Sequence, residues 1–167
     1  LTADDIPRLA ELGIIASMQP LHATEDMHFA EARLGSERIK YAYIWRQLLD
    51  LGVVVATGTD YSVSPYNPFY TLHAAVTRQD RGNNPPGGWY LGQAMTRKEA
   101  LWAATMAGAY AMKAEDVLGS IETGKLADFV VIPVDYMTVP AEEIWKIEPD
   151  MTVIGGDVVY TKPVRTR

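Results

Sequence analysis

Residues 53–67 read VVVATGTDYSVSPYN, and the rest of the chain is arranged around this stretch. Val53 to Ala56 form a short, continuous, largely β-branched run that ends in Thr57-Gly58-Thr59-Asp60, and the chain is then broken by Pro65 and Pro68. A run of this length bounded by Gly and Pro predicts a strand buried on both faces, as in a parallel sheet. Asp60 then sits just past the C-terminal end of that strand, where the loops of barrels and doubly wound sheets assemble their chemistry. A carboxylate in that place can bind a metal, take a proton, or cap the following turn.

Reading outward, residues 4–13 predict a short helix with Asp5 as N-cap, Pro7 in its first turn and Gly13 at its end. Ile14 to Met18 follow as a short buried strand closed by Gln19-Pro20. Residues 21–36 read as a long polar loop carrying His22, Glu25, Asp26 and His28. Glu37 to Leu51 predicts one helix, capped by Ser36 and ended by Gly52, which leads into the Val53 strand. Helix, strand, loop, helix, strand is a βαβ rhythm and implies parallel strands. Residues 69–80 predict a further helix, and 81–95 a loop with Trp89 and Tyr90 at its tip. Thr96 to Glu99 has capping-box spacing ahead of an alanine-rich helix to about Lys113, with Trp102 and Met106 expected in the core.

The last third changes character. Ile121, Ala127 to Ile132, Thr152 to Ile154 and Asp157 to Tyr160 predict short strands, with Gly155-Gly156 as a two-residue hairpin turn. Asp128 is expected at a turn or sheet edge. His28 reads as a solvated loop residue and His73 as a packing or surface residue of its helix. The organisation expected is an α/β part, residues 1–113, followed by a β-rich part, residues 114–167.

Composition narrows the function classes. The 167 residues are 48% apolar and 22% charged, an ordinary globular balance and enough for one proper core. Net charge is −6 and the basic residues are scattered, with Arg97-Lys98 the longest basic pair, so no nucleic-acid footprint is present. There is no Cys, hence no disulfide or thiolate metal site, which fits a cytoplasmic setting. No run approaches the roughly 18 apolar residues of a membrane span.

Three stretches together resemble one family: ASMQPLH at 16–22, RLGSERIKYAYIWRQLLDLGVVVATGTD at 33–60, and GSIETGKLADFVVI at 119–132. They are similar to the C-terminal part of metal-dependent amidohydrolases, in the family 3 branch that includes N-substituted formamide deformylase-like enzymes. The Gly-Lys-Leu-Ala-Asp-Phe segment is common across the superfamily. Gln-Pro-x-His after one strand with Gly-x-Asp after the next is more specific. Gly-Thr-Asp stands where Gly-Ser-Asp is more usual and keeps the hydroxyl.

The resemblance implies a (β/α)8 TIM barrel, here its last strands and helices at 1–113, followed by a small β-sandwich segment at 114–167. It implies hydrolysis of non-peptide C–N bonds in amide or formamide substrates by metal-activated water, with one or two divalent ions, zinc foremost. Asp60 corresponds to the aspartate after the last barrel strand, which binds metal and accepts the proton of the attacking water. His22 corresponds to a histidine beside the substrate, with Gln19, Tyr61 and Ser62 as neighbours that shape the pocket. The family's His-x-His pair, mid-barrel acid or modified lysine, and two further strand-end histidines have no counterpart among the three histidines here. The chain is also shorter than the about 250 residues of a full barrel. The expectation is therefore a fragment, inactive alone, that pairs with the remainder of the barrel or with a second copy through its open strand edges. The alternative of another class is a non-catalytic α/β module that binds a small molecule or a partner.

Overall fold

The computed structural model describes residues 1–163. Helix α1 (Ile6–Glu11) starts at Asp5, whose carboxylate accepts from the Thr2 hydroxyl and from Arg8, and Pro7 lies in the first turn where a missing N–H costs nothing. Strand β1 (Ala16–Met18) pairs in parallel with β2 (Val55–Thr57), in the register Ala16↔Val55, Ser17↔Ala56, Met18↔Thr57. The buried parallel pair expected from the Val53 run is therefore present. Val55 is fully buried and Ala56 nearly so.

The connection between the strands differs from the reading of the sequence. In place of a polar loop, residues 20–38 carry two helices, α2 (Pro20–Asp26) and α3 (Ala30–Arg38). Pro20 at the first helical position starts α2, and Leu21, Ala23 and Thr24 are buried along its inner side. The single helix expected over 37–51 is broken into the end of α3, a 3-10 turn at Ile39–Tyr41 and α4 (Trp45–Asp50). Tyr43 has φ 54°, outside helical space. The break lets Ile39, Ile44, Trp45 and Leu48 all reach the core, which one straight helix would not allow. It also lets the Tyr43 hydroxyl donate to Asp26 at 2.6 Å. Tertiary burial outweighs helix propensity here.

After β2 comes α5 (Pro68–Thr77), with Asn67 capping the Phe69 N–H. The loop at 78–95 contains one 3-10 turn, Leu91–Gln93, and Trp89 folds back against Tyr43 with ring centroids 5.5 Å apart. The Thr96 capping box is formed in full with Glu99 and opens α6 (Arg97–Ala104). The alanine-rich helix kinks at Thr105, whose hydroxyl donates to the Leu101 carbonyl, and resumes as α7 (Met106–Ala111). Ala100, Ala103 and Ala107 are fully buried, so the small side chains make the close approach. Trp102 consequently faces outward at 41% exposure rather than joining the core.

The β-rich part is an antiparallel sheet of β3 (Phe129–Val131), β4 (Met151–Ile154) and β5 (Asp157–Thr161), in that order. Gly155 and Gly156 form the β4–β5 turn with φ of 60° and 89°, as a two-residue hairpin of this hand requires. Asp128 holds the sheet edge by accepting from the Gly155 N–H at 2.6 Å. Ile121 is not in a strand and stands almost wholly exposed. Among the described residues no helix is long and apolar enough to cross a membrane.

A buried arginine ties the first half together. Arg78 is 1% exposed, stacks its guanidinium 4.1 Å from the Trp45 ring, and donates to the carbonyls of Trp89 and Tyr43. Burial lowers its pKa to about 10, still far above neutrality, so the side chain remains charged inside the fold. Arg97 reaches the other way and donates to the carbonyls of Tyr136 and Val139, fastening the 136–139 segment to α6.

Two predictions follow from this packing. Thr96→Ala removes the hydroxyl half of the capping box and should lower unfolding free energy by about 1 kcal/mol; an unmoved urea midpoint would contradict the cap's role. Burial also holds the His73 imidazole below its ordinary value of 6.5, against the opposing pull of Asn83 and Asp80. The unfolded chain then takes up a proton below about 6.5 that the native state refuses, so stability falls as pH drops through that range. His73→Asn should flatten the pH dependence of the melting midpoint between about pH 7 and 5.5, above the range where ordinary carboxylates titrate.

Candidate functional site

The parallel register sets the site. Because Met18 and Thr57 are partners and the Gly58 N–H donates to the Met18 carbonyl at 3.1 Å, both strands end level with each other. The chain leaving β1 passes Gln19, the extended N-cap residue of α2, and reaches His22 in the first turn of the helix. The chain leaving β2 turns sharply at Asp60, where φ is 54°. Asp is one of the few residues that tolerates this left-handed conformation. The Asp60 carbonyl then accepts from the N–H groups of Val63 at 2.7 Å and Ser64 at 3.4 Å, which locks the turn.

Asp60 and His22, far apart in sequence, are brought face to face: His22 Nε2 lies 3.9 Å from Asp60 Oδ2. The two groups differ in their surroundings. Asp60 is 54% exposed and its side chain has only this long contact among the described residues. His22 Nε2 is shielded from solvent and has no hydrogen-bond partner among the described residues. A shielded ring nitrogen without a partner is costly.

The remaining expected residues are arranged around this pair. The Gln19 carbonyl accepts from the His22 N–H and so begins the helix. Tyr61 is exposed, with its ring edge-on to Tyr66 at 5.8 Å, and Ser62 beside it is also exposed. His28 and His73 lie apart from the pair and line a cleft of about 330 Å³ between α2 and the end of α5, together with Glu25 and Asp80. His73 is buried and held by Asn83 Oδ1 at 3.0 Å, a packing role. The cleft contains neither Asp60 nor His22, so the concave surface and the facing polar pair are separate features.

Two residues had no role in the sequence reading and belong to the site's frame. The Ser64 hydroxyl, 2% exposed as a residue, donates to Glu25 Oε2 at 2.6 Å. Glu25 is three residues after His22 and Ser64 four after Asp60, and no pattern in the sequence ties the two to each other.

Asp60 fits a divalent metal as one oxygen donor, and an exposed carboxylate held by no other donor is ready for that role. A closed hydrolytic zinc centre takes three protein ligands. Among the described residues no group of three or more His, Asp or Glu side chains lies close enough to hold an ion.

Comparison with known proteins gives the family. The model of the Amidohydrolase family matches residues 1–160. Protein LONG AFTER FAR-RED 3 of Arabidopsis thaliana is 32% identical over 157 residues, covering 92% of this chain and 26% of that protein. N-substituted formamide deformylase of Arthrobacter pascens is 29% identical over 117 residues, covering 70% of this chain and 21% of the enzyme. Among solved structures, an uncharacterized metal-dependent hydrolase of Pyrococcus horikoshii superposes with a TM-score of 0.73 at 27% identity, over 84% of this chain and 28% of that one. The chain thus spans about a quarter of the length of these relatives. It belongs to the Amidohydrolase family.

Proposed function

We propose that this chain forms part of a metal-dependent hydrolase of non-peptide C–N bonds, with Asp60 as metal ligand and proton acceptor. The observation that carries the reading is the facing pair at the ends of two parallel strands, one member an open carboxylate and the other an orphaned ring nitrogen. Family membership and the names of the matched relatives support the reaction class. Amide and formamide substrates fit it best, the formamide by analogy with the matched deformylase.

We further propose that residues 1–113 are the last strands and helices of a (β/α)8 barrel and 114–167 a segment of a β-sandwich, residues 164–167 of that span lying outside the described ones. The two-stranded parallel sheet has an open edge on each side, as strands cut from a longer parallel sheet would. The three-stranded sheet leaves Val130, Ile154 and Tyr160 exposed on one face, an apolar surface suited to a further layer. The remainder of the same barrel is the partner that would complete both, with a second copy of the chain as the alternative.

A divalent ion, zinc foremost, would supply Lewis-acid polarisation and water activation when bound. The chain's own residues then have distinct tasks. Asp60 Oδ2 accepts the proton of the attacking water and passes it to the leaving nitrogen as the C–N bond breaks, giving a carboxylate and an amine. His22 Nε2 makes its missing hydrogen bond to a polar atom of the substrate. The carboxylate stays where it can act because the left-handed turn at Asp60 is bonded from Val63 and Ser64. Tyr61 and Ser62 stand exposed on the rim, where they can contact the substituent of an N-substituted amide.

Asp60→Asn in the whole protein should lower kcat for amide or formamide hydrolysis by at least about a hundredfold while the protein still folds. Unchanged kcat would refute the role given to Asp60. His22→Ala should raise KM as well, since it removes a substrate contact rather than the proton acceptor.

A further inference from the structure

His22 and Asp60 do not hold each other: at 3.9 Å they are beyond hydrogen-bond distance. Something else must set their separation. The structure contains one other side-chain link between the same two segments, the 2.6 Å hydrogen bond from Ser64 Oγ to Glu25 Oε2.

The spacing makes that bond a strut. On α2, His22 and Glu25 are three residues apart and so lie on the same side of the helix, about one turn from each other. On the loop after β2, Asp60 and Ser64 are joined within one turn, because the Ser64 N–H donates back to the Asp60 carbonyl. The two segments therefore meet at two levels, His22 against Asp60 and Glu25 against Ser64. The second level is the firm one, a short bond to a charged acceptor from a hydroxyl that is itself buried. Helix α2 is in turn braced from its far end, where Asp26 accepts from Tyr43, whose carbonyl is bonded by the buried Arg78. Motion of the Asp60 loop is thus referred through Ser64 and Glu25 to the core.

We propose that Glu25 and Ser64 are positioning residues that fix the Asp60 turn against α2 and so set the geometry of the metal and substrate site. The proposal rests on the function proposed above for Asp60, and its test separates the two. Neither residue touches the reacting atoms. Their action runs through the backbone turn that carries the Asp60 carboxylate.

The test uses the whole protein and four variants: Ser64→Ala, Glu25→Ala, the conservative Ser64→Thr, and Asp60→Asn as reference. Affinity for Zn²⁺ alone is measured by chelator competition, and amide hydrogen exchange is measured at Val63 and Ser64. Ser64→Ala and Glu25→Ala should each weaken Zn²⁺ binding by about tenfold or more, the scale typical of groups that orient a metal ligand. Combining them should cost little beyond either alone, because both remove the same bond. Ser64→Thr, which keeps the hydroxyl, should restore the affinity, a recovery that a general loss of stability would not produce. The Val63 and Ser64 amides should exchange faster in both alanine variants, whatever the metal does. Unchanged exchange at those amides overturns the strut. So does undiminished Zn²⁺ affinity in the alanine variants when Asp60→Asn loses it. Undiminished affinity in Asp60→Asn itself overturns instead the ligand role of Asp60, and the exchange measurement still decides the strut.

Discussion

Everything at the candidate site depends on the parallel pairing of β1 with β2. Three residue pairs fix the register, and the Gly58 N–H extends it by one bond past the last pair. A slip of one residue would send the side chains of one strand to the opposite face and shift the start of its loop. His22 and Asp60 would then no longer meet. The register is held by burial: Val55 is wholly enclosed, and the alanine faces of α6 and α7 lie against β2. Alanine matters because it lets helix and strand approach closely without a cavity.

A second constraint runs through charged and polar groups in the interior. Arg78 is enclosed by Trp45 and Trp89 and satisfies two carbonyls that irregular backbone leaves open. Burying a guanidinium is unfavourable unless its donors are used, and here the aromatic faces and carbonyls supply partners. The Tyr43 side chain continues the line to Asp26, and burial together with that carboxylate pushes the Tyr43 hydroxyl well above its ordinary range, so it stays a donor. The helix carrying His22 is thereby anchored to the core, and the loop carrying Asp60 is joined to that helix by Glu25. Rigid support behind an exposed carboxylate is what a preorganised site needs, since a small displacement of a reacting group is costly.

How much of this could be read from the sequence follows the range of the interactions involved. The β-branched run at Val53, the Thr96 capping box and the Gly155-Gly156 turn are local signals, and each gave the observed element. The placement of Asp60 and His22 just past two strand ends was legible from the motifs, although only the fold shows that they face one another. The helices over 20–38 were missed because their polar surface hides a short inner side made by Leu21, Ala23 and Ala30. The break at Tyr43 and the outward turn of Trp102 were also missed, and both are decided by tertiary packing. Glu25 and Ser64 lie 39 positions apart, and no local pattern links them. Among the described residues no group of three or more His, Asp or Glu side chains could hold an ion, so a metal centre is not legible from this chain alone.

The most direct test is a crystal structure of the whole protein grown with Zn²⁺, with data collected on both sides of the zinc absorption edge. The account predicts an anomalous peak about 2.0–2.2 Å from an Asp60 carboxylate oxygen, with the His22 ring nitrogen facing the open side of the site. An ion bound elsewhere, with Asp60 oxygens out of its reach, would contradict the account.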